Sequence, residues 1–237
     1  MSIATDLMAM YYAQAEEGIP TRGLVFHASL DGQTPAQAET GQTITTHGIS
    51  SYGTFDGIPC LQHTNSTNFW LSAPASLTTA TGWTISAWLA YNNTIQRSET
   101  WCFGLTRGTA WGQCMLLSYT SNSNAWGIGV LHGGGNYNFI TGYTPQSTAK
   151  WVHVVGVVDF VNGLAKVYIN GELAYTQGKT VADTYLKSYS EVRFCTDYSG
   201  DSRGIRSTYK MAGCRIYNRV LNEAEIQQLA KEFKQEE

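Results

Sequence analysis

From Leu24 onward the chain alternates apolar and polar positions with a period of two. Trp83, Ile85, Ala87 and Leu89 alternate with Thr84, Ser86 and Trp88, which predicts a strand with one face in a core. The run WVHVVGVVDF, residues 151–160, is apolar on both faces, as a central sandwich strand is. Asn162-Gly163 follows, then Ala165, Val167 and Ile169 alternating with Lys166, Tyr168 and Asn170, then Asn170-Gly171. Both central residues of a type I′ turn need positive φ, and Asn-Gly supplies them. Residues 151–176 are therefore expected to form a three-stranded meander.

Two stretches break this period. In residues 2–17, Leu7, Met8, Tyr11 and Tyr12 recur at three- and four-residue intervals after Thr5, and Gly18 and Pro20 end the pattern. This predicts a short helix with Thr5 as N-cap. Such a helix is marginal alone, so it is expected to pack on its own domain or on a partner. Near the other end, Asn222 with Glu225 three residues later forms a variant capping box, and Leu221 and Ile226 stand at the positions of a hydrophobic staple. Ile226, Leu229, Ala230 and Phe233 line one face of the helix this predicts, which should dock on the sandwich. No repeat or low-complexity linker interrupts the rest. The expected organisation is a helical attachment segment over residues 1–20 and one β domain over residues 21–237.

Composition agrees with this reading. Charged residues are only 14% of the 237, against a typical ~25%, while aromatics reach 12% and glycines number 24. Weak charge with many aromatics and glycines suits an all-β chain, and this length forms a full core without staples. With 15 Lys+Arg against 18 Asp+Glu, the net charge is −3. Arg97, Arg107, Arg193, Arg203 and Arg206 are scattered and give no basic stripe to release counterions from nucleic acid. No apolar run approaches the ~18 residues that cross a bilayer. The opening MSIATDLMAMYYAQAEEGIP has no basic start and no unbroken apolar stretch, so it is not a secretory signal and synthesis in the cytoplasm is expected. Cys60, Cys102, Cys114, Cys195 and Cys214 are widely spaced, with no CxxC, and read as buried thiols from a reducing compartment. His27, His47, His63, His132 and His153 are isolated in sequence, so no zinc pattern is present.

The segments GLVFHASLDG (23–32), GWTISAWLA (82–90), WVHVVGVVD (151–159), KVYINGELA (166–174) and MAGCRIYNRVLNEAEIQQL (211–229) resemble, in order and spacing, the laminin-G-like, concanavalin A-like lectin/glucanase family. The resemblance covers residues 23 to about 233. It implies an all-β jelly roll, two antiparallel sheets packed face to face, with the N-terminal and C-terminal helices added. It also implies that Trp83, Trp88 and Trp151 are core residues. Many members of the family carry a structural calcium near the last strand, but the usual Asp corresponds here to Ala212, which puts the ion in doubt. Asp197 and Asp201 could offer oxygens but show no EF-hand-like spacing.

The family includes binding modules and glycosidases, so chemistry decides between them. Glycoside hydrolysis needs two carboxylates flanking the scissile bond, and catalytic members of the fold carry them as a Glu-x-Asp-x-x-Glu cluster. This chain has none: between Gly57 and Val158 the one acid is Glu99. Asp159 precedes Asn162-Gly163 and reads as a turn residue. Gly200-Asp201-Ser202-Arg203-Gly204 spells G-x-S-x-G, but in a polar loop of a β protein and not in the strand-turn-helix that a nucleophile elbow requires. Gly178-Lys179-Thr180 lacks the preceding P-loop glycine, Leu173 standing in its place. No catalytic residue is expected.

A binding surface remains. Sugars are held by stacking on aromatic rings and by hydrogen bonds from amides and hydroxyls, which needs little charge. Trp111, Trp126, Tyr137, Tyr143 and Tyr198 lie beside Gly, Asn and Ser at strand ends or loops, and Asn136 and Asn138 flank Tyr137. These seven are the expected ligand-binding residues. The sequence thus predicts a non-catalytic, lectin-like adhesion module, carried as a homo-oligomer on a phage or prophage virion. Its partners are a glycan or cell-surface polysaccharide and, through residues 2–17, other virion subunits, with no nucleic acid, membrane or cofactor. The alternatives are a structural or decoration virion protein without sugar binding, and a secreted bacterial carbohydrate-binding protein or glycosidase accessory.

Overall fold

The structure is a computed structural model. It describes residues 18–32, 37–48, 51–63, 70–79, 81–92, 99–107, 114–120, 125–132, 135–140, 150–178, 187–195 and 208–233. The helix expected over residues 2–17 lies outside them.

Two antiparallel sheets make the jelly roll. The eight-stranded sheet is ordered β13 (Glu172–Gly178), β12 (Leu164–Ile169), β11 (Trp151–Asp159), β6 (Gly82–Asn92), β15 (Thr208–Tyr217), β4 (Ile58–His63), β3 (Ser51–Phe55). Strand β1 (Leu24–Ala28) pairs with the second half of β15, beyond the part that β4 occupies. The seven-stranded sheet is ordered β10 (Gly135–Ile140), β9 (Ala125–His132), β8 (Cys114–Thr120), β7 (Glu99–Thr106), β14 (Ser188–Phe194), β5 (Trp70–Thr78), β2 (Thr45–His47).

The main core lies between the sheets. Ile85, Ala87, Leu89, Val154 and Val158 from one sheet meet Leu71, Phe103, Leu117, Ile128 and Phe194 from the other. Gly156 faces this interior and has no room for a side chain: an added Cβ would sit 2.5 Å from Ile128 Cδ1 and 2.8 Å from its Cβ. Gly156→Ala is therefore expected to cost about 1–3 kcal/mol through overpacking, read as a lower urea midpoint.

The expected meander is present as β11, β12 and β13, but its two turns differ. Asn170 (φ 53°) and Gly171 (φ 87°) both have positive φ, the type I′ requirement. At the other turn Gly163 has positive φ and Asn162 does not. The Asp159 carboxylate accepts hydrogen bonds from the Val161 and Asn162 amides, each at 2.9 Å, and from Asn162 Nδ2 at 2.7 Å. These bonds wind residues 160–163 into a longer loop, so the two-residue turn expected there is corrected. Partial desolvation raises the Asp159 pKa, but the hydrogen bonds from Asn162 and Val161 outweigh it and hold the carboxyl below its ordinary range. The turn role expected for Asp159 is what its hydrogen bonds show.

The predicted single-faced burial of β6 is also corrected. Thr84 and Ser86 are buried alongside Trp83 and Ile85, and Trp88 is 2% exposed. The reason is a second apolar layer on the far side of the eight-stranded sheet. The C-terminal helix (Glu223–Leu229) starts at Asn222, whose side chain accepts from the Glu225 amide while Glu225 accepts from the Asn222 amide. Its Ile226 and Leu229, with Leu221, pack on Val155, Val157, Tyr168 and Tyr217, and Phe233 packs beside Trp88, Ile58 and Ala212. Val155 and Val157 are thus covered by the helix while Val154 and Val158 meet the other sheet, which is why β11 reads apolar throughout.

Polar fastenings hold this layer down. Arg215, 1% exposed on β15, grips Glu232, its second nitrogen 2.6 Å from Oε1. Arg219 joins Glu225 of the helix to the carbonyl of Arg22 at 2.7 Å. The incoming chain lies here too: Ile19 packs against the helix cluster and Pro20 is buried. Cys60, Cys102, Cys195 and Cys214 are buried free thiols, as the spacing predicts.

Candidate binding site on the outer face of the seven-stranded sheet

The central strands of the eight-stranded sheet are covered on both faces, whereas the outer face of the seven-stranded sheet carries no second apolar layer among the described residues. Strand alternation decides what reaches it. On β5, Leu71 and Ala73 enter the core, so Trp70, Ser72 and Pro74 take the opposite side. On β14, Val192 and Phe194 are core and Glu191 and Arg193 are outward. Register then aligns Ser72 with Arg193, Pro74 with Glu191 and Trp70 with His47.

These side chains form one stack. The His47 and Trp70 rings lie parallel within 5°, centroids 3.6 Å apart, and the Arg193 guanidinium carbon is 5.1 Å from the Trp70 centroid. Strands β2 and β14 flank β5 on opposite sides, so imidazole and guanidinium take opposite faces of the indole. His47 Nε2 lies 3.0 Å from Ser72 Oγ, and Arg193 places two nitrogens 2.8 Å from one Glu191 oxygen. Arg193 is only 4% exposed. Guanidinium over indole gains about 0.5–2 kcal/mol, and the carboxylate neutralises it. With both indole faces occupied, Trp70 braces the sheet and cannot stack a sugar.

Next along the same two strands is a cleft of about 530 Å³. Its origin is a slip in register: Tyr189 pairs with Leu77 and Glu191 with Pro74, so β5 has Ala75 and Ser76 where β14 has Ser190 alone. Pro74 has no N–H for the ladder, and proline within a strand marks an edge or a bulge. Pro74, Ala75 and Ser76 line one wall, Ser188 and Ser190 the other, and Arg107, just beyond the end of β7, completes it. The floor is Tyr189, whose ring is buried edge-on against Trp83 at 5.6 Å.

The residues expected from sequence fall elsewhere. Trp126 is in the core, 1% exposed, on the same face of β9 as the core residues Ile128 and Val130; it is corrected from a ligand platform to a packing residue. Asn136, Tyr137 and Asn138 lie on β10, opposite Leu131, Val130 and Gly129, and their backbone is what the structure describes. Trp111, Tyr143 and Tyr198 lie outside the described residues. Val161 and Leu173 are exposed large apolar side chains, both on the eight-stranded sheet's side of the molecule at β11–β13. Trp83 and Trp88 are buried and Trp151 partly so, with its Nε1 donating to the Phe55 carbonyl at 3.1 Å.

One buried pair resembles catalytic machinery. Ser86 Oγ is 2.8 Å from His153 Nε2, but both are at most 1% exposed beneath the helix layer, where no substrate reaches. Ala212, at the position implied for a calcium-binding Asp, is fully buried beside Trp88 and Phe233. Asp197 and Asp201 lie outside the described residues. Among those described, no three His, Cys, Asp or Glu side chains converge.

Solved structures share this architecture. The binding domain of botulinum neurotoxin serotype G superposes with a TM-score of 0.68 at 16% identity, over 87% of this chain and 50% of that one. A structure of botulinum neurotoxin type C, whose cell entry is dependent upon interaction with two ganglioside molecules, gives 0.69 at 11%, over 96% and 53%. The binding domain of Paraclostridial Mosquitocidal Protein 1 gives 0.69 at 15%, over 89% and 52%. At these identities the likeness is one of fold, and the chain spans about half the length of each of these structures. No curated protein sequence matches it. The sequence model of the laminin-G-like group, described as the concanavalin A-like lectin/glucanases superfamily, matches residues 64–227, from just before β5 into the C-terminal helix, and the chain belongs to that superfamily.

Proposed function

We propose that this protein is a non-catalytic, lectin-like module that holds a cell-surface glycan on the outer face of its seven-stranded sheet. The observation that carries this reading is the coverage of the other sheet: the central strands β6, β11 and β15 of the eight-stranded sheet are packed on both faces. The outer face presents a cleft lined by hydroxyls. Its carboxylate, Glu191, is held in an ion pair with Arg193 and has no partner carboxylate among the described residues to work as a hydrolytic pair. Structures of like fold lend support, since one binds gangliosides and another, a botulinum neurotoxin DC binding domain, is complexed with rat synaptotagmin II. The proposal extends to a phage or prophage virion, with residues 2–17 joining other subunits. Such an attachment would be on the helix side, where Ile19 and Pro20 pack, away from the cleft. Weak contacts repeated on one particle gain strongly in avidity.

A glycan array probed with the whole protein tests the reading. Binding to a restricted set of glycans, without their cleavage, is expected. A blank array together with stable self-association in light scattering would favour the decoration-protein alternative.

A further inference from the structure

We infer that the cleft between β5 and β14 is a subsite for a neutral sugar that carries a methyl group, so that the protein prefers 6-deoxy or N-acetylated sugars to the parent hexoses. This rests on the glycan-binding reading and names its ligand class. Two unlike surfaces border a space of about 530 Å³, ample for one sugar ring with its substituents. One is apolar, made by the Pro74 ring and the Ala75 methyl; the other is made by the hydroxyls of Ser76, Ser188 and Ser190, which the slip in register sets around the same space. Arg107 is the one charged residue of the lining, and it already has a partner within the protein, so recognition falls to the neutral groups.

The apolar wall sets the preference. Neither the Pro74 ring nor the Ala75 methyl can hydrogen-bond, so a sugar hydroxyl turned toward them loses water without gaining a partner, which is unfavourable. A methyl in the same place buries apolar surface instead. The serine hydroxyls both donate and accept, which suits the ring hydroxyls that remain. The wall is also stiff: the proline ring fixes its own backbone angle, Ala75 is seated on the main core, and the stack of His47, Trp70 and Arg193 steadies the strand beside it. A stiff wall cannot retreat to let water reach a misplaced hydroxyl.

The test is a broad array that includes glycans paired by their terminal sugar, L-fucose against L-galactose, L-rhamnose against L-mannose and N-acetylglucosamine against glucose, probed with wild type, Ala75→Ser, Ser76→Trp and Ser190→Trp. Wild type is expected to bind the methyl-bearing member of at least one pair roughly tenfold to hundredfold more tightly, the range for one group fitted to an apolar pocket. Preference in the first two pairs identifies the methyl as that of a 6-deoxy sugar, and in the third as that of an acetamide. Ala75→Ser, which puts a hydroxyl on the apolar wall, should shrink the preference, and either tryptophan should block the cleft and abolish binding. Ser76 and Ser190 are both exposed, and unchanged thermal unfolding would show that each variant is folded. Equal or absent binding to both members of every pair while other glycans are bound, or a preference that survives both tryptophans, would overturn the methyl subsite and leave the glycan reading standing. Binding to no glycan would overturn both.

Discussion

Glu232→Gln is expected to cost about 3–5 kcal/mol of folding stability, the range for breaking a buried ion pair on one side. Glu232 and Arg215 are both nearly inaccessible, with side chains 3% and 1% exposed. A neutral amide in place of the carboxylate strands a guanidinium beneath the C-terminal layer, where water cannot solvate it. At this chain length each kcal/mol lowers the melting temperature by ~2–4 °C, so a fall of roughly 6–20 °C is expected in calorimetry. The double variant Arg215→Met/Glu232→Leu should recover much of the loss, because it removes both charges and fills the space with apolar groups. A double variant as unstable as the single one would show that the pair holds the last turn by shape and not by charge.

Acid should weaken the protein before its carboxylates titrate. His27 is buried on β1, and desolvation together with the nearby Arg215 charge lowers its pKa from 6.5 to about 2. Glu39 lies 3.8 Å from Nδ1 and opposes this, but its side chain is 38% exposed, so water screens it and burial prevails. As pH falls below 6.5 the unfolded chain takes up a proton that the folded chain refuses. Stability is therefore complete above pH 6.5 and falls by up to about 1.4 kcal/mol for each unit below it, until the folded pKa is reached. Two units of acidification then cost roughly 3 kcal/mol. His27→Gln should flatten the slope of urea stability between pH 6.5 and 4.5. Equal slopes for the variant and the wild type would refute the assignment. The Asp159 and Glu225 carboxyls, both held below their ordinary range, give up stability at lower pH still.

Much of the architecture was legible because it is written in local pattern. Alternation marked β6, a run apolar on both faces marked β11, Asn170-Gly171 marked a tight turn, and Asn222 with Glu225 marked a helix start that both hydrogen bonds of the capping box confirm. The candidate face was less legible. Trp126 follows the polar stretch Ser121–Asn124, which resembles the setting of an exposed ring, yet it shares the inner face of β9 with Ile128 and Val130. His47, Trp70 and Arg193 are far apart in sequence and meet because β2, β5 and β14 are neighbours, which spacing along the chain does not encode. Two signals did exist. Glu191 and Arg193 stand two apart in a strand and so share a face, and Pro74 inside LSAPASL announces the irregularity that opens the cleft.

Ile19 and Phe233 both rest on the back of the eight-stranded sheet. A tether or label attached to this side of the domain therefore departs away from the cleft. The domain can be immobilised on a sensor chip, or lined up along a scaffold, from that side with the outer face of the seven-stranded sheet still presented outward.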